Sequence, residues 1–431
     1  MPRIAYHTLG CKVNQYDTEA MIELFEKEGY EIVSMNDEAD VYLINTCTVT
    51  GTGDQKSMKL IRKILREHPF ASVICAGCLA QRDPERVMLP GVRLVIGVQQ
   101  RKEVVSLLRE SIETGRPIDA TKPLKGAAFE NLSVSRHEGK TRATMKIQEG
   151  CDRYCAYCII PYVRGPVRSM DIDDIRAEAK RLACAGYREL VITGIHLASY
   201  GRQTGNSLID AIRVVNEIDG VNRIRLGSLE PYGITEEFAK QLRSLTKVCP
   251  QFHLSLQSGS AGVLERMRRR YTPEEYLNAV RILRDFFPDC AITTDIIAGF
   301  PGETDEEFEE TVRFIQKVRF ARIHVFPYSR RSGTVADRLP DHVPEEVKKW
   351  RAAKLIEVGN RMELEYVQSL KGTYQDVLFE TEMPDGTCEG YTACYVRVRA
   401  DEKSGEMKRV LITDTQGTLA IGRKQSGNGG E

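Results

Sequence analysis

The chain carries no net charge: 61 Lys and Arg stand against 61 Asp and Glu over 431 residues. That excludes a globally basic nucleic-acid binder, though not a local basic track. It also has no apolar run near the ~20 residues that crossing a bilayer requires, so no membrane partner is expected. The opening MPRIAYHTLGC has neither an extended apolar region nor a cleavage-site pattern, which makes the expected location cytoplasmic. Solenoid-period repeats are missing too, and there is a single tryptophan. With 42% hydrophobic and 28% charged residues, neither disorder nor a collagen-like repeat fits. Cysteine is the exception to this scarcity, with twelve. In a reducing compartment they point to metal sites or buried thiols rather than disulfides.

The periodicity predicts an α/β fold in several domains. Residues 3–113 alternate strands (3–9, 41–46, 72–76, 94–97) with helices (16–28, 55–67, 102–113). This is the pattern of a doubly wound parallel sheet, whose functional edge lies at the carboxyl ends of its strands. Residues 116–141, with Pro117 and Pro123, lose the rhythm and read as a linker. Six strand candidates follow at 143–148, 189–193, 223–228, 252–256, 291–297 and 322–326. Helical patterns separate them at 173–186, 206–218, 235–245, 273–285 and 305–317. Six βα steps make a partial (β/α)6 barrel, two short of a full one and open on one side. A long amphipathic helix is expected at 345–370, with Trp350 near its start. After Gly372 the strands TYQDVLFE, CYVRVRA, KRVLITD and TLAIGRK predict a small all-β, OB-like module. The expected division is 1–115, a linker 116–141, 142–370, 371–425, and a flexible tail 426–431.

The strongest local signal is Cys151-Asp152-Arg153-Tyr154-Cys155-Ala156-Tyr157-Cys158, just after the first barrel strand. Three unequally spaced thiols on one loop suit three irons of a 4Fe-4S cube, with the fourth iron open to another ligand. Structural zinc normally takes four ligands in paired arrangements, and no partner pair follows. Cys11, Cys47 and Cys78 each follow a strand of the first domain, where a parallel sheet brings distant residues to one edge. Cys75 rivals Cys78 but sits inside the apolar run Val73-Ile74-Cys75-Ala76, where a buried thiol acts as a small hydrophobe. Cys184, Cys249, Cys290, Cys388 and Cys394 stand singly and read as packing residues.

Together these residues resemble the radical S-adenosylmethionine (SAM) methylthiotransferases, over nearly the whole chain, including a C-terminal module of TRAM type. The segments His7–Asn14 (HTLGCKVN), Asn45–Thr50 (NTCTVT), Cys158–Tyr162 with Arg164-Gly165, and His324–Ser329 (HVFPYS) resemble the branch acting on threonylcarbamoyladenosine in tRNA. Gly51 departs from that branch, where Asn is expected. The resemblance implies two 4Fe-4S clusters. One, on Cys151, Cys155 and Cys158, would bind SAM and cleave it to a radical that takes hydrogen from C2 of the adenine. The other, on Cys11, Cys47 and Cys78, would carry the methylated sulfur. It also implies an electron donor such as a flavodoxin-type reductant. Neighbouring branches act on dimethylallyl-adenosine in tRNA or on a ribosomal-protein aspartate. An iron–sulfur scaffold or carrier without SAM chemistry is a different class, which the ligand-like strand ends disfavour.

In that context the strand ends supply SAM-pocket candidates: Gly194, Ser228, Glu230, Gln257, Ser258 and Gly299. Basic residues cluster despite the neutral total. Lys59, Arg62, Lys63 and Arg66 share one helix face; Arg268, Arg269 and Arg270 form a second patch, and Arg330-Arg331 a third. The β module is not basic, with eight cations against ten acids from Lys371 onward. Tyr391, Tyr395 and Arg397 are its candidates for stacking on RNA.

Overall fold

Val41–Thr46 is buried at all six positions, as a central strand covered on both faces must be. Around it the computed structural model, which describes residues 1–134 and 141–424, builds a six-stranded sheet. Its strands are β1 (Arg3–Thr8), β2 (Glu31–Val33), β3 (Val41–Thr46), β4 (Ser72–Gly77), β5 (Val92–Ile96) and β6 (Ile118–Asp119). All pairings are parallel, in the order β2-β1-β3-β4-β5-β6. One face packs on Met21, Phe25, Val104 and Leu108, the other on Met58, Ile61, Leu79 and Val87, which makes the sheet doubly wound. The strand order reverses between β1 and β3, where such folds open a crevice at the carboxyl ends.

Two helices start earlier than the sequence pattern predicts. Lys12–Lys27 begins directly after an extended Cys11, and Gly51–Glu67 begins after Thr50, whose side chain accepts from the Gly53 N–H. The cap on Thr50 starts the helix despite Gly51 and Gly53 in its first turn. The strands β2 and β6 escape periodicity because two or three residues carry none. The segment expected as a linker is packed rather than free where it is described. Ile118–Asp119 pairs with β5, and Leu132 and Val134 are buried against Tyr16 and Ala20. Residues 135–140 of that segment and the expected tail 426–431 lie outside the described residues.

The central region places β7 (Arg142–Glu149), β9 (Glu189–Gly194), β10 (Arg223–Leu226), β11 (Gln251–His253), β12 (Ala291–Ala298) and β13 (Arg322–Pro327) side by side in chain order. Parallel bridges Ile224↔Val248 and Leu229↔Leu254 join the β10 and β11 portions. The short β8 (Arg168–Ser169) adds antiparallel to β7, and the arc stays open between β8 and β13. Helix Glu345–Ser369 packs on β12 and β13. Its Trp350 stays 58% exposed while touching Phe308.

The C-terminal strands β14 (Tyr374–Glu382), β15 (Cys388–Thr392), β16 (Arg397–Ala400), β17 (Met407–Gln416) and β18 (Leu419–Lys424) close into a barrel. The sequence reading missed β15 because Gly390 weakens its strand pattern. A Cβ there would come within 2.2 Å of the Leu378 carbonyl oxygen, so the glycine is what allows the strands to meet.

One buried charge network ties the first sheet to the central arc. Asp17, on helix Lys12–Lys27, binds Arg101 at 2.5 Å, Lys146 at 2.5 Å and Arg164 at 3.2 Å. Glu149, which ends β7, binds Arg164 at 2.6 Å, Arg101 at 3.0 Å and Lys146 at 3.3 Å. Burial alone would raise the Asp17 and Glu149 carboxyls, but these cations hold both below their ordinary values. Removing one charge from such a set leaves the others buried and uncompensated. Asp17→Asn should therefore cost about 3–5 kcal/mol in the first urea unfolding transition. A change below about 1 kcal/mol, the range of an exposed pair, would show that the network does not hold the two regions together.

Candidate active site

Register places the three N-terminal cysteines on adjacent strand ends. Thr8 pairs with Asn45 and Thr46 with Gly77, so Cys11, Cys47 and Cys78 follow three neighbouring strands. The three thiols are near enough to perturb one another electrostatically. Two glycines make the crowding feasible. Gly10 has φ +109°, and a Cβ on it would stand 3.1 Å from the Cys47 sulfur. Gly77 has φ +91°, and its Cβ would collide at 2.0 Å with Asn45 Oδ1. Asn14 knits the edge together, donating to the carbonyls of Leu9 at 2.8 Å and Thr46 at 3.0 Å.

Arg164 links this edge to the charge network. Its Nε donates to Cys78 Sγ at 3.3 Å, and its other nitrogens reach Asn14, Asp17 and Glu149. Burial pushes the Cys78 thiol up to about 11, with Arg164 acting against it. The network holds four cations (Arg101, Lys146, Arg164, Arg168) and three carboxylates (Asp17, Glu130, Glu149), so one positive charge is left over beside Cys78. An anionic group on these thiols would balance it. Cys75, by contrast, is fully buried in the core, and burial raises its thiol to about 12.

The second triplet lies on the loop after β7. Gly150, at φ +75°, passes so close to the Pro166 carbonyl that a Cβ would overlap it at 1.9 Å. The Cys151 N–H donates to Gly165 O at 3.0 Å, and the Cys158 N–H to Cys155 O at 2.9 Å. Arg269 Nη1 donates to Cys155 Sγ at 3.3 Å while its Nη2 binds Glu230 at 2.5 Å. Each triplet therefore has a guanidinium on one sulfur, and three thiols would leave one iron of a cube open. Among the described residues no three of His, Cys, Asp or Glu meet tightly enough for a single metal ion.

A cavity of about 600 Å³ joins the two sites: Cys11, Cys151, Cys155 and Cys158 all line it. Of the SAM-pocket candidates, Gly194, Ser228, Glu230 and Gln257 line it as well. Ser258 is buried behind the wall, bonded to Thr311, and Gly299 donates its N–H to Glu303 at 2.8 Å under Lys348. Those two brace the wall.

Arg153, His196 and Lys12 carried no role of their own in the sequence reading, and Tyr395 carried a different one. Arg153 reaches the Tyr232 hydroxyl and lies 3.4 Å from His196 Nε2. Lys12 opens its helix with no acidic residue in the first turn, an arrangement the helix dipole disfavours by about 0.3–1 kcal/mol. Tyr395 comes in from the C-terminal barrel, stacked on Tyr391 at 4.9 Å and with Arg225 4.6 Å from its ring centre. Lys12 and Arg164 did lie within recognised motifs, but His196 left no local signal.

The basic patches divide. Lys59, Arg62, Lys63 and Arg66 are exposed and line a groove of about 430 Å³ with Gln55, Met58 and Arg86. Arg268 and Arg270 are exposed, but the Arg269 side chain is only 5% exposed, drawn in by Cys155 and Glu230. Arg331 is buried too, bound to Asp54 at 2.6 Å, so it pins the loop after Cys47 rather than facing solvent. Tyr391 and Tyr395 turn toward the central arc, and Arg397 alone of that trio stays exposed.

Residues 145–315 match the radical SAM superfamily, and residues 3–97 match an uncharacterized protein family, UPF0004. The chain is similar to the threonylcarbamoyladenosine tRNA methylthiotransferase MtaB of Bacillus subtilis (strain 168), 41% identical over 96% of this chain and 94% of that one. The protein of the same name from Aquifex aeolicus (strain VF5) is 39% identical over 95% of this chain and 100% of its own. A tRNA-2-methylthio-N(6)-dimethylallyladenosine synthase from Acetivibrio thermocellus is 35% identical over 87% of this chain and 80% of its own. Among solved structures, the radical SAM methyltransferase TsrM from Kitasatospora setae shares the fold. Its TM-score is 0.59 at 16% identity, covering 87% of this chain and 81% of that one.

Burial, reinforced by Arg153, lowers the His196 imidazole to about 4. Unfolded, it titrates near 6.5. Below that pH the unfolded chain takes up the proton first, so stability falls as pH drops toward 4. Between pH 8 and 5 the loss should be about 2 kcal/mol, and His196→Gln should flatten the dependence by that amount. Urea unfolding of both proteins over this range checks it; equal slopes would contradict it.

Proposed function

The chain belongs to the radical SAM tRNA methylthiotransferases, and from that premise we propose that it adds a methylthio group at C2 of N6-threonylcarbamoyladenosine in tRNA. The observation that carries this reading is the cavity lined by Cys151, Cys155 and Cys158 together with Cys11 of the other triplet, in a chain similar over nearly its full length to two threonylcarbamoyladenosine enzymes. Cys151, Cys155 and Cys158 would hold the cluster that binds SAM, and Cys11, Cys47 and Cys78 the auxiliary cluster. When bound, the two clusters and SAM supply the radical and the methylated sulfur that the adenine carbon requires.

The chain's own residues orient and enclose. Arg269 holds the Cys155 sulfur and Glu230 together at the cavity wall, and Arg164 does the same for the Cys78 sulfur, Asn14 and Glu149. Gly194 lets the chain pass close to Gln148: a Cβ there would lie 2.8 Å from that side chain. Gln148 in turn accepts from the His196 N–H at 2.7 Å, which steadies the loop that carries His196 to the cavity. Exposed Tyr154 and Tyr162, on and just beyond the cysteine loop, offer faces for bases of a single-stranded anticodon loop. The cationic face of helix Gly51–Glu67 is the candidate phosphate track. A flavodoxin-type reductant and a cytoplasmic location accompany this reading. The dimethylallyl-adenosine enzyme is the second reading, since relatives of that name are 34–37% identical to the chain.

Two experiments test the assignment. Replacing Cys151, Cys155 and Cys158 together by Ala should remove about half the iron and abolish SAM cleavage, because the open-iron site is lost. Replacing Cys11, Cys47 and Cys78 should remove the other half and leave SAM cleavage measurable; full iron retention there would displace the auxiliary site.

For the substrate, purified enzyme is offered unmodified, threonylcarbamoylated and isopentenylated tRNA, and turnover is expected on the second. Turnover only on the third would move the chain to the neighbouring branch. Neutralising Lys59, Arg62 and Arg66 should weaken all three RNAs alike and flatten the salt dependence by about 0.7–0.9 log unit per lost contact.

A further inference from the structure

The cavity is not one uniform space. Its cofactor end is built by the cysteine loop, Arg153, Glu230 and Arg269. Its floor is built by inward residues of β10 to β13, and Lys12 and Tyr395 complete it from the two flanking regions. The floor is polar and cationic. The whole lining holds Lys12, Arg153, Arg225, Arg269 and Arg322 against only Glu230 and Asp295.

Most of these cations are already committed. Arg225 binds Glu189 at 2.8 Å and Arg269 binds Glu230 at 2.5 Å; Arg322 lies 3.7 Å from Glu363. Arg153 belongs to the cofactor end with Tyr232 and His196. Lys12 is different: among the described residues it has neither a hydrogen-bond partner nor a carboxylate partner. It also sits where its helix dipole disfavours a cation. Its charged neighbours are Arg142 and Arg225, with Glu189 beyond them and itself bound by Arg225 at 2.8 Å. A chamber of this kind is complementary to an anion that enters with the substrate.

We propose that this floor, with Lys12 as its unpaired cation and Tyr395 as its wall, receives the carboxylate of the threonylcarbamoyl group. Lys12 is then the residue that selects this substrate over a neutral N6 substituent. The inference rests on the reading of the substrate given above. It explains why a cation is placed one residue after Cys11, facing the cavity rather than a carboxylate of the chain. It also gives the C-terminal barrel a part in substrate choice through Tyr395, in addition to any hold on RNA.

The test uses the holoenzyme and anticodon stem-loop RNAs that differ only at N6: threonylcarbamoyl with its free carboxylate, the same group as the carboxamide, isopentenyl, and unmodified. Equilibrium binding is measured for wild type, Lys12→Gln and Lys12→Arg, with iron per chain determined for each. Wild type should bind the carboxylate RNA roughly tenfold to a hundredfold more tightly than the carboxamide, the range for one charge-assisted hydrogen bond. Lys12→Gln should erase that ratio and Lys12→Arg should restore most of it. Equal binding of carboxylate and carboxamide by wild type overturns the proposal without any variant. So does a ratio that survives in Lys12→Gln, and so does a Lys12→Gln loss shared equally by all four RNAs, which would make Lys12 a phosphate contact. Failure of the substrate reading itself looks different: wild type would then turn over no threonylcarbamoylated RNA.

Discussion

The pairing of Asp17 and Glu149 with Arg101, Lys146 and Arg164 is the constraint on which the rest of the structure depends. Buried ion pairs are a poor source of net stability, because desolvation of each charge consumes most of the Coulomb gain. What this network provides is placement. It draws helix Lys12–Lys27, which starts at Cys11, onto β7, which leads into the loop of Cys151, Cys155 and Cys158. An apolar seam would allow small slides between the two regions; a set of charges that must all be satisfied at once does not. Arg164 then extends the same network to the sulfur of Cys78.

Two further contacts fix the remaining degrees of freedom. Arg331 reaches from the segment after β13 to Asp54, holding the loop that follows Cys47. Arg223 and Arg225, anchored on Glu189, donate to the carbonyls of Tyr391 at 3.1 Å, Thr392 at 3.3 Å and Ala393 at 3.0 Å. These bonds dock the C-terminal barrel against the end of the central arc, and so bring Tyr395 into the cavity. Arginine suits all three seams, since its planar fork satisfies several acceptors at once and stays charged when buried. Zero net charge thus conceals an uneven distribution: paired charges inside, and clustered cations on one helix face and along one cavity.

A cavity assembled from three regions suits chemistry in which two cofactors must approach one substrate atom and water must be kept away. The sheet region supplies one thiol set at its topological switch point and the arc supplies the other on its first loop. Neither region encloses the space alone: Cys11 and Lys12 complete one side, and Tyr395 closes another.

Much of this was legible in the chain itself. The alternation of short buried strands with amphipathic helices determined the sheet and the arc, because a period of 2 or 3.6 is a local property. The grouping of Cys151, Cys155 and Cys158 was readable because the three share one loop. The different settings of Cys75, in the core, and Cys78, at the strand end near Cys11 and Cys47, were readable from one residue inside an apolar strand and one beyond its terminal glycine. Tertiary structure alone decided the rest. Arg269 and Arg331 read as surface charge from sequence neighbours, yet are drawn inward by Glu230 and Asp54, which lie 39 and 277 residues away. Tyr395 read as an RNA-stacking residue and instead faces Arg225. A charge or an aromatic ring has no intrinsic inside or outside. Its place is set by the partner that satisfies it, and folding brings that partner near from a distant part of the chain.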